Sequence, residues 1–448
     1  MYKILLVIFA SFSLTYSSTA QETWTLQKCI QEALENSLEL ESTRLNGLEE
    51  ASISLTQAKH NRYPTLSANT NLGTNFGRFV NPITDAFINQ SFFSNSVGLN
   101  TGVPLYNGFR ITNSLKAAKI DLEASMLDVS QVERDISLTV ANTYLGVLFA
   151  EENIKVAQSR LDNTQNQIDQ LNKLISAGSR PANALFELEA QFAANEQELI
   201  MAENSGVVSM LNLKQLMRME AATEITVIKP AGVDVLSNVD ELSFEEVYNS
   251  AYNNQPSVQA AKLRQKSAEL GVKIAKGGLM PSINMGGGIQ SNYGVILNLP
   301  DGAPAQKGYG DQLNENLSYN IGIGVSMPIY QNYENQLNVQ RAKVNVKRID
   351  NQNAQLENSL MVTVQQALTD AKAASRKLTA ADKTVLAQEA ALQNAKKGYE
   401  LGATNSFEYI TIENNAAQAK VNALIAKYEY LFAMKVLDFY MGNPINLD

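Results

Sequence analysis

The sequence predicts an α+β membrane protein built as a duplicated unit, in which membrane-crossing β-hairpins accompany very long coiled-coil helices. Three observations predict it. Short motifs recur: Tyr63-Pro64-Thr65-Leu66 returns as Met280-Pro281-Ser282-Ile283, Val103-Pro104-Leu105-Tyr106 as Met327-Pro328-Ile329-Tyr330, and Ser176-Ala177-Gly178 as Glu400-Leu401-Gly402. The first pair lies about 217 residues apart and the other two about 224, so the offset drifts by only about seven, as for two copies of one unit. Four stretches alternate strictly between apolar and uncharged polar residues, and the stretches 110–176 and 334–400 carry a heptad.

The amino terminus reads as a secretory signal peptide over residues 1–20. Lys3 supplies the cation, Ile4 to Ala10 the apolar run, and Ser18-Thr19-Ala20 the small-residue end. Losing Lys3 takes the formal charge from −9 to −10, since residues 1–20 hold no acid. An acidic chain with scattered cations is a poor nucleic-acid binder. Cys29 is the only cysteine, which excludes an internal disulfide and suits a place inside a helix.

The remainder divides into repeats 21–241 and 242–448. The first reads as a helix over about 24–61, a β-hairpin over 65–106, a long helix over 110–176, a helix over 182–218 and a linker over 219–241, broken by Pro230 and Gly232. The second reads as a helix over 242–278, a β-hairpin over 282–330, a long helix over 334–400, a helix over 405–440 and a short tail. Pro64 ends the opening helix because its ring disfavours α geometry in the residue before it.

In the strands, Leu66, Leu72, Phe76, Val97, Leu99, Ile283, Ile289, Ile321 and Val325 fall on one face. Asn69, Asn71, Asn100, Asn284, Gln290 and Asn320 fall on the other, which carries no charge and is expected to line a water-filled lumen. Each strand has about the 10 residues that a tilted strand needs to cross a bilayer. Aromatics mark both rims as an interfacial girdle: Tyr63, Tyr106, Phe109, Tyr330 and Tyr333 at one end, and Phe76, Phe79, Phe92, Phe93, Tyr293 and Tyr309 at the other.

The long helices repeat every 3.5 residues. In the second, Leu360, Val364, Ala367, Ala371, Ala374, Leu378, Ala381, Val385, Leu392, Ala395 and Tyr399 fall in register; in the first, Ile136, Val140, Thr143, Val147, Ala150, Ile154, Ala157, Leu161, Thr164, Ile168, Leu171 and Ile175 do. Each is roughly 100 Å long at 1.5 Å per residue.

Four strands cannot close a barrel. An open edge in lipid leaves N–H and C=O groups unpaired at several kcal/mol each. Three copies give twelve strands, an even number with room for water, so the chain is expected to be a homotrimer surrounded by membrane lipid.

Site chemistry is sparse. His60 is the only histidine and has no cysteine beside it, which makes a poor metal site. Gly286-Gly287-Gly288 lacks the Lys-Ser/Thr of a phosphate loop. No nucleophile–base–acid arrangement stands out, so neither an enzyme nor a cofactor is expected.

The duplicated order, the hairpins after Pro64 and Pro281, the Val-Pro-Leu-Tyr-Asn-Gly turn at 103–108 and the glycine turns before Phe186 and Tyr409 resemble the TolC family of outer-membrane efflux proteins. The resemblance covers essentially the whole mature chain. It implies a trimeric twelve-stranded barrel in outer-membrane lipid, on a periplasmic α-barrel in a Gram-negative-type envelope. It also implies an exit duct serving a periplasmic adaptor (membrane fusion) protein and an inner-membrane pump of RND, ABC or MFS type, in efflux or type I secretion.

By the same resemblance the turns Gly178, Ser179, Arg180 and Gly402, Ala403, Thr404 are adaptor-docking tips, and Glu408 is a tunnel-entrance candidate. Ala184 stands where some relatives carry an acid, and Thr404 where they often carry an Arg, while Arg180 lies in the first turn instead, so a polar lock of that kind is not expected here. Glu187, Glu189 and Glu413 read as a solvated helical face. A stand-alone outer-membrane pore and a structural trimeric stalk are the competing readings. Resting conductance separates the first from a gated duct, and the duplication speaks against the second.

Overall fold

The structure, a computed structural model, describes residues 22–80, 87–178, 181–229, 239–298 and 305–443. The expected signal peptide, docking residues Ser179 and Arg180, and Pro230 and Gly232 of the linker lie outside the described residues, as does the side chain of Phe79. In chain order the elements are β1 (Glu22–Trp24), α1 (Leu26–Asn36), α2 (Leu38–Thr43), α3 (Glu50–His60), β2 (Thr65–Val80), β3 (Phe87–Tyr106), α4 (Arg110–Ser176), α5 (Ala184–Leu216), β4 (Ile225–Val227), α6 (Phe244–Asn254), α7 (Pro256–Gly277), β5 (Ser282–Ile296), α8 (Tyr309–Glu315), β6 (Ser318–Ser326), α9 (Glu334–Glu400) and α10 (Ser406–Met441).

The chain forms two compact units that cut across the sequence repeats, each unit taking part of both. One comprises residues 42–131 and 256–359, the other residues 1–41, 132–255 and 360–448. Helices α4 and α9, 67 residues each, contribute to both.

The first unit holds a four-stranded antiparallel sheet in the order β2-β3-β5-β6. Its register sets Leu66 beside Thr101, Thr101 beside Gly287, and Gly287 beside Ile321. Among the described residues β2 and β6 each have one neighbour only. The fourth strand stops at Ser326, short of the expected Ile329, and the hairpin 282–330 contains helix α8, which the alternation did not foretell. Beyond the Gln290–Ser318 pair at which β6 begins, side-chain amides finish the edge of β5. Gln312 meets both the N–H and the C=O of Gly294 at 3.0 Å, Gln306 those of Ile296 at 2.7 and 2.8 Å, and Asn316 donates to the carbonyl of Asn292 at 2.7 Å. An amide side chain presents the same donor and acceptor as a peptide, so it can stand in for a missing strand.

The strand-to-helix turns preserve the duplication. Gly108 and Phe109 have φ of 66° and 61°; Asn332 and Tyr333, at the equivalent places before α9, have 49° and 61°. Two successive left-handed residues, the second an aromatic, are costly and persist only where their surroundings hold them.

In the second unit β1 pairs in parallel with β4, Glu22 beside Ile225. Trp24, expected to open a helix, ends a strand instead, and the expected linker 219–241 supplies that strand's partner. Three-residue strands carry too little alternation to be read. The buried hydroxyl of Tyr144 joins them, 3.0 Å from the Trp24 carbonyl and accepting from Ile228 N–H at 3.1 Å. Around it Cys29, Ile30, Val140, Leu213, Met217, Tyr428 and Phe439 form the core. Burial pushes the Cys29 thiol up to about 12, which keeps it neutral and inert.

Two of the shorter helices are interrupted. The expected 24–61 helix breaks at Ser37 and carries a π-helical turn over Arg44–Glu49; the expected 242–278 helix breaks at Gln255, before Pro256. Ser243 and Glu246 form a reciprocal capping box at the start of α6. The heptad positions of α4 and α9 are all buried or half-buried, Val140, Val364 and Ala371 completely.

Candidate functional site

The turn from α9 to α10 is built by glycine. Gly402 adopts φ 75°; its N–H donates to the Tyr399 carbonyl at 3.1 Å, and Ala403 N–H to the Gly398 carbonyl at 2.8 Å. This pair of bonds is a Schellman motif, which satisfies carbonyls that a helix end leaves open. A Cβ on Gly398 would collide with Thr404 Oγ1 and sit 3.4 Å from Thr404 Cβ, so the bare glycine gives Thr404 its place. Asn405 then caps α10, its side-chain oxygen accepting from Glu408 N–H at 2.8 Å. Glu408 is exposed in the first turn of α10, where a carboxylate meets the positive end of the helix dipole.

Gly178 matches Gly402: φ is 72°, and its N–H donates to Ile175 at 2.9 Å. Gly178, Gly402 and Ala403 are exposed, and Thr404 is half-buried. Apolar side chains stand beside them. Leu401 is 85% exposed, Phe407 74% and Phe186 70%, an apolar presentation at a helical turn that solvation alone does not explain. The signal was readable: Leu401 and Phe407 flank the glycine turn rather than a heptad core position.

Glu413 is a correction. It was expected on a solvated face with Glu187 and Glu189; those two are exposed, but Glu413 is half-buried between helices. Gln167 Nε2 donates to its Oε2 at 2.5 Å. Burial raises its carboxyl above the ordinary value, opposed by the Gln167 hydrogen bond and by the positive charges of Arg160 and Lys396. A cavity of about 260 Å³ adjoins it, lined by Arg160, Thr164, Gln191, Asn195 and Lys420 among others. Asn195 donates to Thr164 Oγ1 at 2.7 Å and accepts from Gln191 at 2.8 Å, and Arg160 pairs with Glu198 at 2.5 Å. This polar patch interrupts the heptad core, where the apolar pattern admits Thr164 but gives no hint of its partners. Nearby Tyr399 and Tyr409 stack with centroids 5.1 Å apart, and burial pushes the Tyr409 phenol up to about 12.

On the sheet, the register brings the polar candidates to one face. Ser67, Asn100, Gly288 and Asn320 form one row across four strands; Asn69, Gly98, Gln290 and Ser318 form the next. Asn71 and Asn284 share that face by alternation. Asn100 donates to Asn69 Oδ1 at 2.6 Å. A Cβ on Gly288 would lie 2.8 Å from Asn100 Oδ1 and 3.0 Å from Asn320 Oδ1, so this glycine is where two amide side chains lie over the sheet. The opposite face exposes Leu66, Leu72, Phe76, Ile321 and Val325.

The aromatic candidates sit at the strand ends. Tyr106 and Phe109 meet edge to face at 5.3 Å, as do Tyr330 and Tyr333 at 6.0 Å, and Tyr63 lies 5.7 Å from the ring of His60. At the other end Tyr293 contacts Phe93 and Tyr309, at 6.3 and 4.9 Å, and Phe76 is exposed. Tyr309 also donates to the buried Asn95 at 2.6 Å, which ties α8 to the sheet. Among the described residues no helix is long and apolar enough to cross a membrane, and no group of three or more His, Cys, Asp or Glu is placed to hold a metal ion.

The sequence matches the family model described as outer membrane efflux protein over residues 29–217 and 247–443. Outer membrane protein TolC of Vibrio cholerae serotype O1 is 22% identical over 78% of this chain and 76% of its own length. Among solved structures, the fold matches CusC with a TM-score of 0.75 at 17% identity, covering 94% of this chain and 92% of that one. It also matches the open-state MtrE outer membrane channel of Neisseria gonorrhoeae with a TM-score of 0.73 at 22% identity, covering 94% and 90%.

Proposed function

Because this chain belongs to the outer membrane efflux protein family, we propose that three copies join edge to edge into a twelve-stranded barrel and serve as the exit duct of a tripartite efflux or type I secretion machine. Its place is the outer membrane, and its role is the outward passage of substrates. The observation that carries the trimer is the sheet itself. It has two bare edges, an exposed apolar face and an uncharged polar face. Lipid suits the apolar face, water suits the polar one, and only neighbouring copies can pair the edges.

In this reading Asn69, Asn71, Asn100, Asn284, Gln290 and Asn320 line the lumen. Tyr63, Tyr106, Phe109, Tyr330 and Tyr333 mark one interface, and Phe76 and Tyr293 the other. The turns at Gly178-Ser179-Arg180 and Gly402-Ala403-Thr404 dock a periplasmic adaptor, with Leu401, Phe407 and Phe186 as apolar anchors. Glu408 stands at the tunnel entrance. Transport energy comes from an inner-membrane pump, and the chain itself catalyses nothing and holds no cofactor.

The test is cross-linking from Arg180 and Thr404 to the adaptor, with drug and export sensitivity of a strain carrying a charge reversal at Arg180 and a bulky substitution at Thr404. Loss of cross-links and of export with the trimer intact is expected. Docking that survives charge reversal at Arg180 together with bulky substitution at both turns overturns the duct reading. A wide, ungated conductance of the purified trimer in a bilayer replaces it with a stand-alone pore.

A further inference from the structure

The helical end of the sheet carries a charge that the rest of the chain does not share. The whole chain has a formal net charge of −9, yet across residues 56–64, 106–116, 272–281 and 327–336 the only acid is Glu334. Lys59 lies in the last turn of α3 and Arg62 just beyond it, Arg110 opens α4, and Lys273 and Lys276 stand in the last turns of α7. All five are exposed, and none is in an ion pair with another described residue.

Packing fixes where these cations stand. The stem of Arg110 lies over Gly277, so that a Cβ there would be 2.5 Å from Arg110 Cγ, and Lys276 is the next residue along α7. The same level carries the aromatic rim. Tyr106 reaches Met280 Sδ at 3.5 Å and packs on Phe109, while Asn335 beside Tyr333 donates to the Gly278 carbonyl at 2.8 Å. From Lys276 back to Lys273 is less than one helical turn, about 5 Å of rise. Aromatic rings therefore stand at the strand ends, with cations within a turn of them.

We propose that this foot binds the phosphate headgroups of anionic phospholipids in the leaflet that surrounds it. The inference rests on the reading that the sheet crosses the outer membrane. Rings settle at the boundary between acyl chains and headgroups, and long cationic side chains just beyond extend into the phosphate layer. With Lys116, also exposed, the four stretches hold six Lys or Arg against the single acid Glu334, an excess of positive charge left for the lipid. Basic clusters beside a membrane span select anionic lipid in this way. An acidic protein partner would not need the girdle of rings at the same depth.

The experiment uses the full assembled protein in mixed micelles with equal phosphatidylglycerol and phosphatidylethanolamine, followed by mass-spectrometric counting of retained lipid. Enrichment of phosphatidylglycerol is expected, falling with added salt and dropping roughly fivefold for each cation removed at low salt. Two variants test it: Arg62→Gln/Arg110→Gln/Lys276→Gln, and Lys59→Gln/Lys273→Gln, whose two exposed positions have no packing role and keep the fold. Equal retention of both lipids by the parent, or enrichment that neither variant nor salt changes, overturns the proposal while leaving the membrane reading in place. Retention of neither lipid overturns both.

Discussion

Gly108 and Gly277 meet backbone to backbone: a Cβ on Gly277 would lie 2.5 Å from the Gly108 carbonyl oxygen, and one on Gly108 would lie 2.9 Å from Gly277 Cα. The end of α7 and the left-handed turn that opens α4 thereby meet through their backbones, with the Arg110 stem over the same glycine. Gly277→Ala forces them apart and is expected to cost about 1–3 kcal/mol, the usual range for overpacking. Heat-resistant migration of the assembled protein checks it, and unchanged resistance would refute the contact.

Leu401 is so exposed that its replacement leaves the fold alone. Leu401→Glu should nevertheless weaken adaptor docking by about 2 kcal/mol, the size of an interface hot spot, or roughly thirtyfold in affinity. Titration of the purified adaptor against the parent and variant measures this. Equal affinities would remove Leu401 from the interface.

Gly398→Ala sets a methyl group against Thr404 Oγ1 and should open the α9–α10 turn. Adding Thr404→Ala takes away the hydroxyl and leaves only a contact near 3.4 Å, so the double variant is expected to recover most of the loss. Hydrogen exchange at Ala403 and Thr404 amides reports it; additive losses would speak against the clash.

Glu413 links stability to pH. Its carboxyl is raised by burial, so the folded chain keeps a proton that the unfolded chain releases. That contribution is fully present below the ordinary carboxylate pKa and is lost as pH rises through the folded value. Glu413→Gln, uncharged throughout and still able to accept from Gln167, should melt higher than the parent at neutral and alkaline pH. At acid pH the two should converge. A constant difference across pH would place the effect elsewhere.

Gln312→Ala leaves the N–H and C=O of Gly294 without their partner on the β5 edge. The expected loss is about 1–3 kcal/mol per unmet group, seen as earlier unfolding of the assembled sheet in denaturant. Gln312→Asn, too short to span both groups, should lose nearly as much.

Much of the fold was legible because its periods are long. Residues 110–176 and 334–400 repeat their heptad often enough that every position it names is buried or half-buried, although Tyr144, Leu145, Leu148 and Leu368 are buried outside it, and the strand alternation placed Asn69, Asn100 and Asn320 on one face before any register was known. What escaped was short or non-local. The β1–β4 pair joins Glu22 to Ile225 across the whole first repeat, and α8 interrupts a hairpin with only seven residues. Glu413 was misread because its surroundings come from Gln167 and Arg160, more than two hundred residues earlier, which no local pattern can report. Family resemblance located the glycine turns, and the apolar Leu401, Phe407 and Phe186 beside them, off any heptad core position, were the readable sign that it left out.

The two bare margins at β2 and β6 bear on how the protein comes into being. A solitary chain has no finished form that a bilayer would tolerate, since each margin exposes a full row of unmet peptide groups. In the proposed trimer, insertion and partner-finding are therefore one event. The abundance of functional ducts should then vary more steeply than in proportion to the rate of synthesis.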